Sequence, residues 1–208
     1  MATAPIIEHT VRIYRRLFAA AGRSQADVKA FVEHTAAALR DYDPDLVQEI
    51  DGVATGSDTA PEDLLAINGR TELLAARHGT ECSVISVGPH RTVTGGQYLA
   101  QNWDWHPDLA RSRILWLVAS PAGDEWFLTF TEAGVLGKIG LNSRGLGCCV
   151  ALLGSSLDRP DGGIPIHFLL RLVLQRCASP SDAIRLLTTA KVSASSCVVV
   201  ASAGGGAK

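Results

Sequence analysis

The sequence lacks an excess of charge of either sign. Its 19 Lys and Arg residues against 21 Asp and Glu residues give a formal net charge of −2 at pH 7. Such a chain has no overall basic field to attract nucleic acid or an anionic membrane surface. The basic cluster RIYRR is short and typical of a solvated helix face, so we expect no nucleic-acid partner.

The cysteine pattern of a disulfide framework is also absent. The chain has five cysteines, an odd number, and no Cys-x-x-Cys pair; they are Cys82, Cys148, Cys149, Cys177 and Cys197. Most lie within apolar runs, which is typical of reduced, buried thiols in a cytosolic protein. We therefore expect a cytoplasmic location.

Long hydrophobic runs are missing as well. No segment approaches the roughly 20 apolar residues that a membrane helix needs. The N-terminus has no apolar run behind a basic start, so it does not read as a secretory signal. We expect no membrane partner, and the 208 residues, 47% of them apolar, suffice for one sizeable core.

The first part of the chain has the pattern of helices. Residues 5–77 place apolar side chains near helical spacing, and Ser24 with Asp27 resembles a capping box. Pro44 and Pro61 stand where a first helical turn tolerates proline. These signals predict successive helices before residue 78.

From Cys82 onward the pattern changes to that of short strands. Segments rich in Val, Ile, Leu, Thr and aromatic residues are separated by Gly, Pro and Asp turns, and PAGDE at 121–125 predicts a hairpin. Helices are predicted near 163–177 and 180–191, followed by a last strand, SSCVVVAS. This order favours an α+β fold with antiparallel sheet and helices on one face.

Cys82, in GTECSVISV, stands where the helical pattern stops and the first strand begins. A packed thiol is the ordinary role of a cysteine in such a position. Metal ligation would recruit His78, His90 and His106, whose spacing matches no specific ligand pattern. A thiol–imidazole pair with one of these histidines is a third reading, but the sequence expected around such a cysteine is absent.

Another chemistry fits the start of a strand better. If the peptide bond before Cys82 were cut, the residue would carry a free α-amino group beside its thiol. An α-amine has a pKa near 8, so at neutral pH a substantial fraction is unprotonated and can act as general base. Cys82 would then be both nucleophile and base, without a histidine.

Several separated motifs resemble one known family. CSVISV…GGQYLAQNWDWHP, TEAGVLGKIGLNSRGLG and GGIPIHFLLRLVLQRCASPSDAIRLL resemble, in this order, the isopenicillin-N acyltransferase family, the C45 group of N-terminal nucleophile hydrolases. The resemblance runs from about residue 68 to about residue 202. It implies a four-layer αββα sandwich and a precursor that cleaves itself between Glu81 and Cys82.

The resemblance also implies a division of the chain and a set of site residues. Residues 1–81 would form a helical pro-segment or small subunit, and residues 82–208 the start of the catalytic αββα domain. Cys82 takes the nucleophile position and Asp104 that of the aspartate that orients the amine. Ser195 matches a serine near the nucleophile, with Ser196 as the alternative.

The chain departs from the family pattern in three ways. Glu81 stands where family members often have glycine, and GLGCCVALLG lacks their asparagines at positions 149 and 151. Relatives also continue well past residue 208 with further strands. The resemblance therefore predicts an αββα domain that is truncated at its C-terminus, with an uncovered sheet face and a tendency to self-associate.

Two functions of different classes follow. The first is an acyltransferase or amidohydrolase acting on amide or thioester acyl groups through an acyl-thioester on Cys82. It would use a small-molecule acyl donor, with acyl-coenzyme A as one candidate, and an amine or water as acceptor, without cofactor or metal. The second is an inactive family remnant or binding module.

Other residues have structural interpretations. Asn102 and Trp103 are expected to shape the strand and pocket wall, and Cys148 and Cys149 to lie in the core of a strand. His167 is expected to be a core or rim histidine. Arg70 and Arg77 could hold the pro-segment or contact a carboxylate substrate, but we favour their interpretation as exposed helix charges. The glycines of GVLGKIG are interpreted as markers of turns and bulges.

Overall fold

In the computed structural model, residues 3–74, 82–159 and 163–204 are described. The helices are α1 Ala4–Ala20, α2 Gln25–Tyr42, α3 Pro44–Ser57, α4 Pro61–Asn68, α5 Arg70–Leu74, α6 Ile166–Arg176 and α7 Pro180–Thr189. The strands are β1 Cys82–Val87, β2 Tyr98–Trp103, β3 Arg113–Ala119, β4 Trp126–Glu132, β5 Ile139–Asn142, β6 Leu146–Leu152 and β7 Ser196–Ser202.

The helical prediction for the N-terminal part is confirmed as far as residue 74. Ser24 and Asp27 form the predicted capping box at the start of α2, which satisfies backbone N–H groups that lack an intrahelical partner. Pro44 and Pro61 open α3 and α4 as expected. Residues 75–77 lie outside the described residues.

The strands form two antiparallel sheets. One has five strands in the order β3-β4-β5-β6-β7, and β1 pairs with β2 in a separate hairpin. The predicted α+β class is therefore confirmed. Residues 92–97, between the two strands of the hairpin, form turns in which the Thr92 hydroxyl donates to the carbonyls of Pro89 and Gly96.

The short strand β5 corrects the interpretation of one glycine. Gly134 lies in a turn with φ of 93°, as predicted. Gly140, in contrast, lies inside β5, where a Cβ atom would be 2.2 Å from the Leu128 carbonyl oxygen. It marks a close approach of two backbones rather than a bulge.

The five-stranded sheet carries helices on one face, and the β1–β2 hairpin covers part of the other face. Helix α6 packs on β4, β5 and β6, and α7 packs on β7. The β1–β2 hairpin packs on β6 and β7 from the opposite side, where the Gln101 amide both accepts from the Val150 N–H and donates to its carbonyl. The described residues thus form a helix layer, a five-stranded sheet and a two-stranded sheet.

The N-terminal helices pack against the end of the sheet where β4 turns into β5. Gly134 in this turn approaches side chains of Ile7, Leu64 and Ile67. The Asn68 amide donates to the Gly134 carbonyl and accepts from the Leu136 N–H. This end of the sheet is therefore built from both parts of the chain.

Candidate active site

Cys82 is the first residue of β1 and has a free, half-buried thiol. Its Cα is paired with that of Trp103, the last residue of β2, so the two side chains share one face of the hairpin. That face is the inner one, because Cys82, Val84 and Ser86 are less exposed than Ser83 and Ile85 between them. Glu81 and the predicted cleavage bond lie outside the described residues.

The ring of Trp103, the cross-strand partner of Cys82, contacts a buried lysine. Lys138, just before β5, places its Nζ 3.2 Å from the centroid of the Trp103 ring. Phe130 meets the same ring edge-on at 5.5 Å, and the Arg113 guanidinium lies 5.2 Å from it. Trp103 therefore forms a wall of the site, as expected, whereas Asn102 is exposed on the outer face.

Lys138 belongs to a cluster of buried polar side chains, which we call the Glu132 cluster. Its members are Tyr14, Arg70, Glu132 and Lys138. Glu132 and Arg70 are both 0% exposed, and Arg70 Nη2 lies 3.0 Å from Glu132 Oε2. Lys138 Nζ is 3.8 Å from the same oxygen, and the Tyr14 hydroxyl donates to Glu132 Oε1. Arg70 and Lys138 thus share one carboxylate.

Arg70 was predicted to be an exposed helix charge, and this is wrong. Its guanidinium carbon lies 5.1 Å from the Trp105 ring centroid and 5.5 Å from that of Tyr14. The Trp105 indole N–H donates to the Tyr14 hydroxyl over 2.8 Å. Arg70 is buried because it is the first residue of α5, at the junction with the sheet. The faces of two aromatic rings and the Glu132 carboxylate take the place of water around its guanidinium group.

The cluster shifts the ionisation of its members in opposite directions. Burial raises the pKa of Glu132, but Arg70 and Lys138 outweigh it and hold that pKa below its ordinary value. Burial, together with Arg70, places the pKa of Lys138 well below its usual value, against the opposing effects of Glu132 and Cys82. Burial likewise raises the pKa of Tyr14, so the phenol stays neutral.

Asp104 follows Trp103 directly and is exposed. Within the described residues, its carboxylate has no hydrogen bond or ion pair. It adjoins the Cys82–Trp103 pair through the backbone. The structure thus places Asp104 at the end of the hairpin that carries Cys82, without showing contact between the two side chains.

Ser195 lies one residue before β7, and its hydroxyl donates to Asp158 Oδ1 over 2.7 Å. The same carboxylate oxygen accepts from the Ser195 backbone N–H at 3.0 Å. Ser196 begins β7 opposite Leu152, and its buried hydroxyl has no partner among the described residues. Gln101 of β2 is hydrogen-bonded to Val150 of β6, which pairs with β7 two residues from Ser196. Ser195 and Ser196 therefore lie at the end of the sheet that is next to the Cys82 end of the hairpin.

The described histidines form no hydrogen bond to Cys82. His167 is fully buried, as predicted for a core histidine, with Nε2 3.3 Å from the Thr71 hydroxyl and Nδ1 3.3 Å from the Gly137 carbonyl. Burial, with Arg70 and Lys138 nearby, lowers the pKa of His167 well below its ordinary value. His106 accepts from the Asp108 N–H, and His78 lies outside the described residues.

Two further cysteines lie in the sheet core as predicted. Cys148 and Cys149 are 1% and 3% exposed, and burial raises their thiol pKa to about 12 and about 11. Within residues 3–74, 82–159 and 163–204, no three His, Cys, Asp or Glu side chains are grouped so as to hold a metal ion. No helix in the same ranges is both long and apolar enough to span a bilayer.

Comparison with known proteins identifies the class. The pattern that defines the acyl-coenzyme A:6-aminopenicillanic acid acyl-transferase family matches residues 92–207, and the chain belongs to this family. A curated relative is the 40 kDa form of acyl-coenzyme A:6-aminopenicillanic-acid acyltransferase of Emericella nidulans, 28% identical over 186 residues. The alignment covers 87% of this chain and 50% of the relative, so the chain spans about half the relative's length. The resemblance identified from the sequence is confirmed.

Sequence reasoning missed the Glu132 cluster, and also Asp158. Glu132 ends the strand WFLTFTE, and Lys138 stands between Gly137 and Ile139 in a glycine-rich, apolar stretch. A charge in such a setting is the available signal, since charged side chains are rarely fully buried without a partner. Asp158 carried a weaker signal, a lone carboxylate in a polar loop.

Proposed function

We propose that the chain is a self-processing N-terminal nucleophile acyltransferase or amidohydrolase in which Cys82 carries the acyl group. The observation that supports this most directly is the position of Cys82. It is the first residue of a strand, with a free thiol on the inner face between two sheets. A residue so placed presents both its α-amine and its thiol to one site once the preceding bond is cut.

In the proposed reaction the Cys82 α-amine takes the thiol proton. The sulfur attacks the carbonyl carbon of an amide or thioester donor, the leaving group departs with a proton, and an acyl-thioester remains on Cys82. An amine or water then attacks this thioester and restores the thiol. Acyl-coenzyme A is one candidate donor, since the curated relative is named for it; the steps themselves require no metal or cofactor.

Two side chains near this end have proposed positioning roles. Asp104, adjoining the Cys82–Trp103 pair, would orient the freed α-ammonium or amine. Ser195 is held by two hydrogen bonds to Asp158, so its hydroxyl oxygen is fixed in direction while its lone pairs stay available. Ser196 is the alternative, because its buried hydroxyl has no partner among the described residues.

Residues 1–81 would remain bound as a small subunit after cleavage. Side chains of the N-terminal helices contact the rest of the chain. The buried Glu72 Oε1 accepts from the Ile166 N–H at 2.9 Å, and Glu49 Oε2, which is partly buried, lies 3.0 Å from Arg171 Nη2. Tyr14 and Arg70 hold Glu132 in the same way. The catalytic domain would then be residues 82–208, and its helix layer and two sheet layers fit an αββα sandwich.

One observation favours the alternative function, which is that of an inactive family remnant or binding module. On the hairpin side of the five-stranded sheet, Leu115 and Leu117 are 66% and 61% exposed and Leu141 is 46% exposed. An apolar strand face of this kind is suited to association. Self-association through this face is compatible with either function.

Intact mass spectrometry of freshly purified protein tests the proposal. We expect two chains divided between Glu81 and Cys82, whereas Cys82→Ala stays whole. Asp104→Asn and Ser195→Ala should fold normally, judged by circular dichroism, yet cleave or transfer acyl groups more slowly by about 10²-fold or more. A wild-type chain that stays whole and does not form an acyl-thioester contradicts the proposed function and favours the binding module.

A further inference from the structure

Asp104, which would orient the Cys82 α-amine, has little to direct it on its own. Strand β2 ends at Trp103, and residues 104–106 form irregular backbone before the short helix Pro107–Ser112. The Asp104 side chain is exposed, and within the described residues it has no hydrogen bond or ion pair. Its direction therefore depends on how the residues on either side of it are held.

The residue that follows Asp104 is held by the Glu132 cluster. The Trp105 indole N–H donates to the Tyr14 hydroxyl over 2.8 Å, and that hydroxyl donates to Glu132 Oε1. The Arg70 guanidinium carbon lies 5.1 Å from the centroid of the same indole. Tyr14 is 0% exposed, so water does not compete for either hydrogen bond. Trp105 is thus held both by a directed hydrogen bond and by the face of its ring.

The residue that precedes Asp104 is held by the same cluster through another member. Lys138 Nζ lies 3.2 Å from the centroid of the Trp103 ring, whose face attracts the ammonium form. The same Nζ is 3.8 Å from Glu132 Oε2, whereas the Tyr14 hydroxyl binds Oε1. The two oxygens of one buried carboxylate therefore lead to the two indoles that flank Asp104.

This arrangement is more specific than ordinary packing of aromatic side chains. Two tryptophans separated by one residue are tied to a single buried carboxylate, and the residue between them stays exposed. Apolar ring contacts tolerate a tilt or a slide, but a hydrogen bond weakens steeply as its angle falls. The backbone of Asp104 is consequently held from both sides, while its carboxylate remains accessible at the Cys82 end of the hairpin.

We propose that the Glu132 cluster positions Asp104 for the reaction at Cys82, and that Tyr14 is the positioning residue supplied by the N-terminal helices. Tyr14 acts through Trp105 and does not touch the reacting atoms. The inference rests on the proposed function, in which Asp104 orients the α-amine. It adds that residues 1–81, proposed to remain bound after cleavage, supply a part of the site.

Tyr14→Phe tests the inference, because it removes the hydroxyl and keeps the ring. We expect cleavage before Cys82, followed by intact mass after cell-free synthesis, to slow by about 10- to 10²-fold. Thr10→Val is the matched control: Thr10 is buried on the same helix, and its hydroxyl donates to the Ile6 carbonyl within α1. The control should cleave like the wild type. Equal slowing in both variants, or no slowing in Tyr14→Phe, would overturn the inference.

The Asp104→Asn background separates positioning from general stability. Because Tyr14 acts through Asp104, Tyr14→Phe should slow cleavage by less than about threefold once the carboxylate is gone. A merely structural tyrosine would slow cleavage by the same factor in both backgrounds. That result would overturn the inference and leave the proposed function intact, whereas a wild type that never cleaves overturns both.

Fluorine NMR of protein labelled with fluorotryptophan gives a readout that does not depend on cleavage. The chain has four tryptophans, so each signal can be assigned with a single Trp→Phe variant. In Cys82→Ala protein, Tyr14→Phe should shift or broaden the Trp105 signal and leave that of Trp126, at the other end of β4, unchanged. A Trp105 signal that does not move would show that Tyr14 does not hold this ring, and would overturn the inference alone.

Discussion

Two regions around strand β4 differ from the usual arrangement, in which charged side chains are exposed and apolar ones are buried. At the end where β4 meets the N-terminal helices, Arg70 and Glu132 are fully buried. Along the hairpin side of β3, β4 and β5, Leu115, Leu117 and Leu141 are largely exposed. Charged side chains are thus buried at one place on the five-stranded sheet, and apolar side chains are exposed at another.

The contrast shows which contacts hold the molecule together and which face is free to meet something else. The buried charges come from both parts of the chain, so each compensates the other only when helices and sheet are joined. The exposed leucines lie on the edge strand β3 and on β5, beyond the area that the β1–β2 hairpin covers. The hydrophobic pattern of the surrounding sequence explains neither the burial of the charges nor the exposure of the leucines.

The largest effect is expected at the buried end. Glu132→Gln should lower the free energy of unfolding by about 3–5 kcal/mol, because Arg70 loses its compensating charge in a dry site. Glu125→Gln, which removes a half-exposed partner of Arg144, should cost about 1 kcal/mol or less. Urea unfolding of the three proteins at pH 7 measures both.

If the two substitutions cost the same, the buried cluster contributes no more than a surface ion pair and the contrast between the two ends disappears. The double variant Glu132→Gln/Arg70→Met removes both charges. It should be more stable than Glu132→Gln alone, because Arg70 is then no longer a buried cation without its carboxylate. A double variant that is less stable would show that the cost lies in packing rather than in charge.

The elements of this fold were largely predictable because their signals are local. The capping box of Ser24, the prolines at 44 and 61 and the turn at 121–125 act within a few residues. The short β5 was missed because it has four residues, one of them Gly140, whose close approach to Leu128 is a tertiary contact. Periodicity cannot report such a contact.

The candidate site divides in the same way. The position of Cys82 at a strand start was visible in the sequence, and Asp104 and Ser195 entered through the resemblance; their roles stay proposals. Tyr14 and Glu132, which meet by hydrogen bond, are 118 residues apart in the chain. Arg70 therefore looked like an exposed helical charge, since nothing near it in sequence indicates the carboxylate that it meets.

A smaller but pH-dependent effect is expected at Glu72, also at the junction. Burial raises its pKa to about 7, from an ordinary value of 4.5. Below pH 4.5 the carboxyl is protonated in the folded and unfolded states alike. Between pH 4.5 and 7 the folded state holds more protons, so stability falls with rising pH by about 3 kcal/mol and is then constant. Glu72→Gln should remove this slope, with the Gln carbonyl still accepting from Ile166.

Chemical unfolding at half-unit steps from pH 4 to pH 8 gives the comparison. The difference in unfolding free energy between wild type and Glu72→Gln should change across pH 4.5–7 and be flat above. A difference that stays flat throughout would mean that Glu72 is ionised in the folded protein at pH 5. The helix–sheet junction would then tolerate a further buried charge, contrary to the balance inferred for Arg70 and Glu132.

The smallest effect on stability, and the clearest on association, is expected at the exposed face. Leu117→Lys should change the free energy of unfolding by less than about 0.5 kcal/mol, because the side chain is 61% exposed. A lysine on an edge strand opposes strand-to-strand and face-to-face contact. Light scattering coupled to size-exclusion chromatography should therefore show a shift from oligomer to monomer, while Ile184→Lys on α7 leaves the distribution unchanged.

A wild type that is monomeric at all concentrations would mean that exposure of these leucines does not drive association. A loss of stability in Leu117→Lys would mean that this face is packed against the rest of the chain, which would remove the inversion of polarity between the two regions.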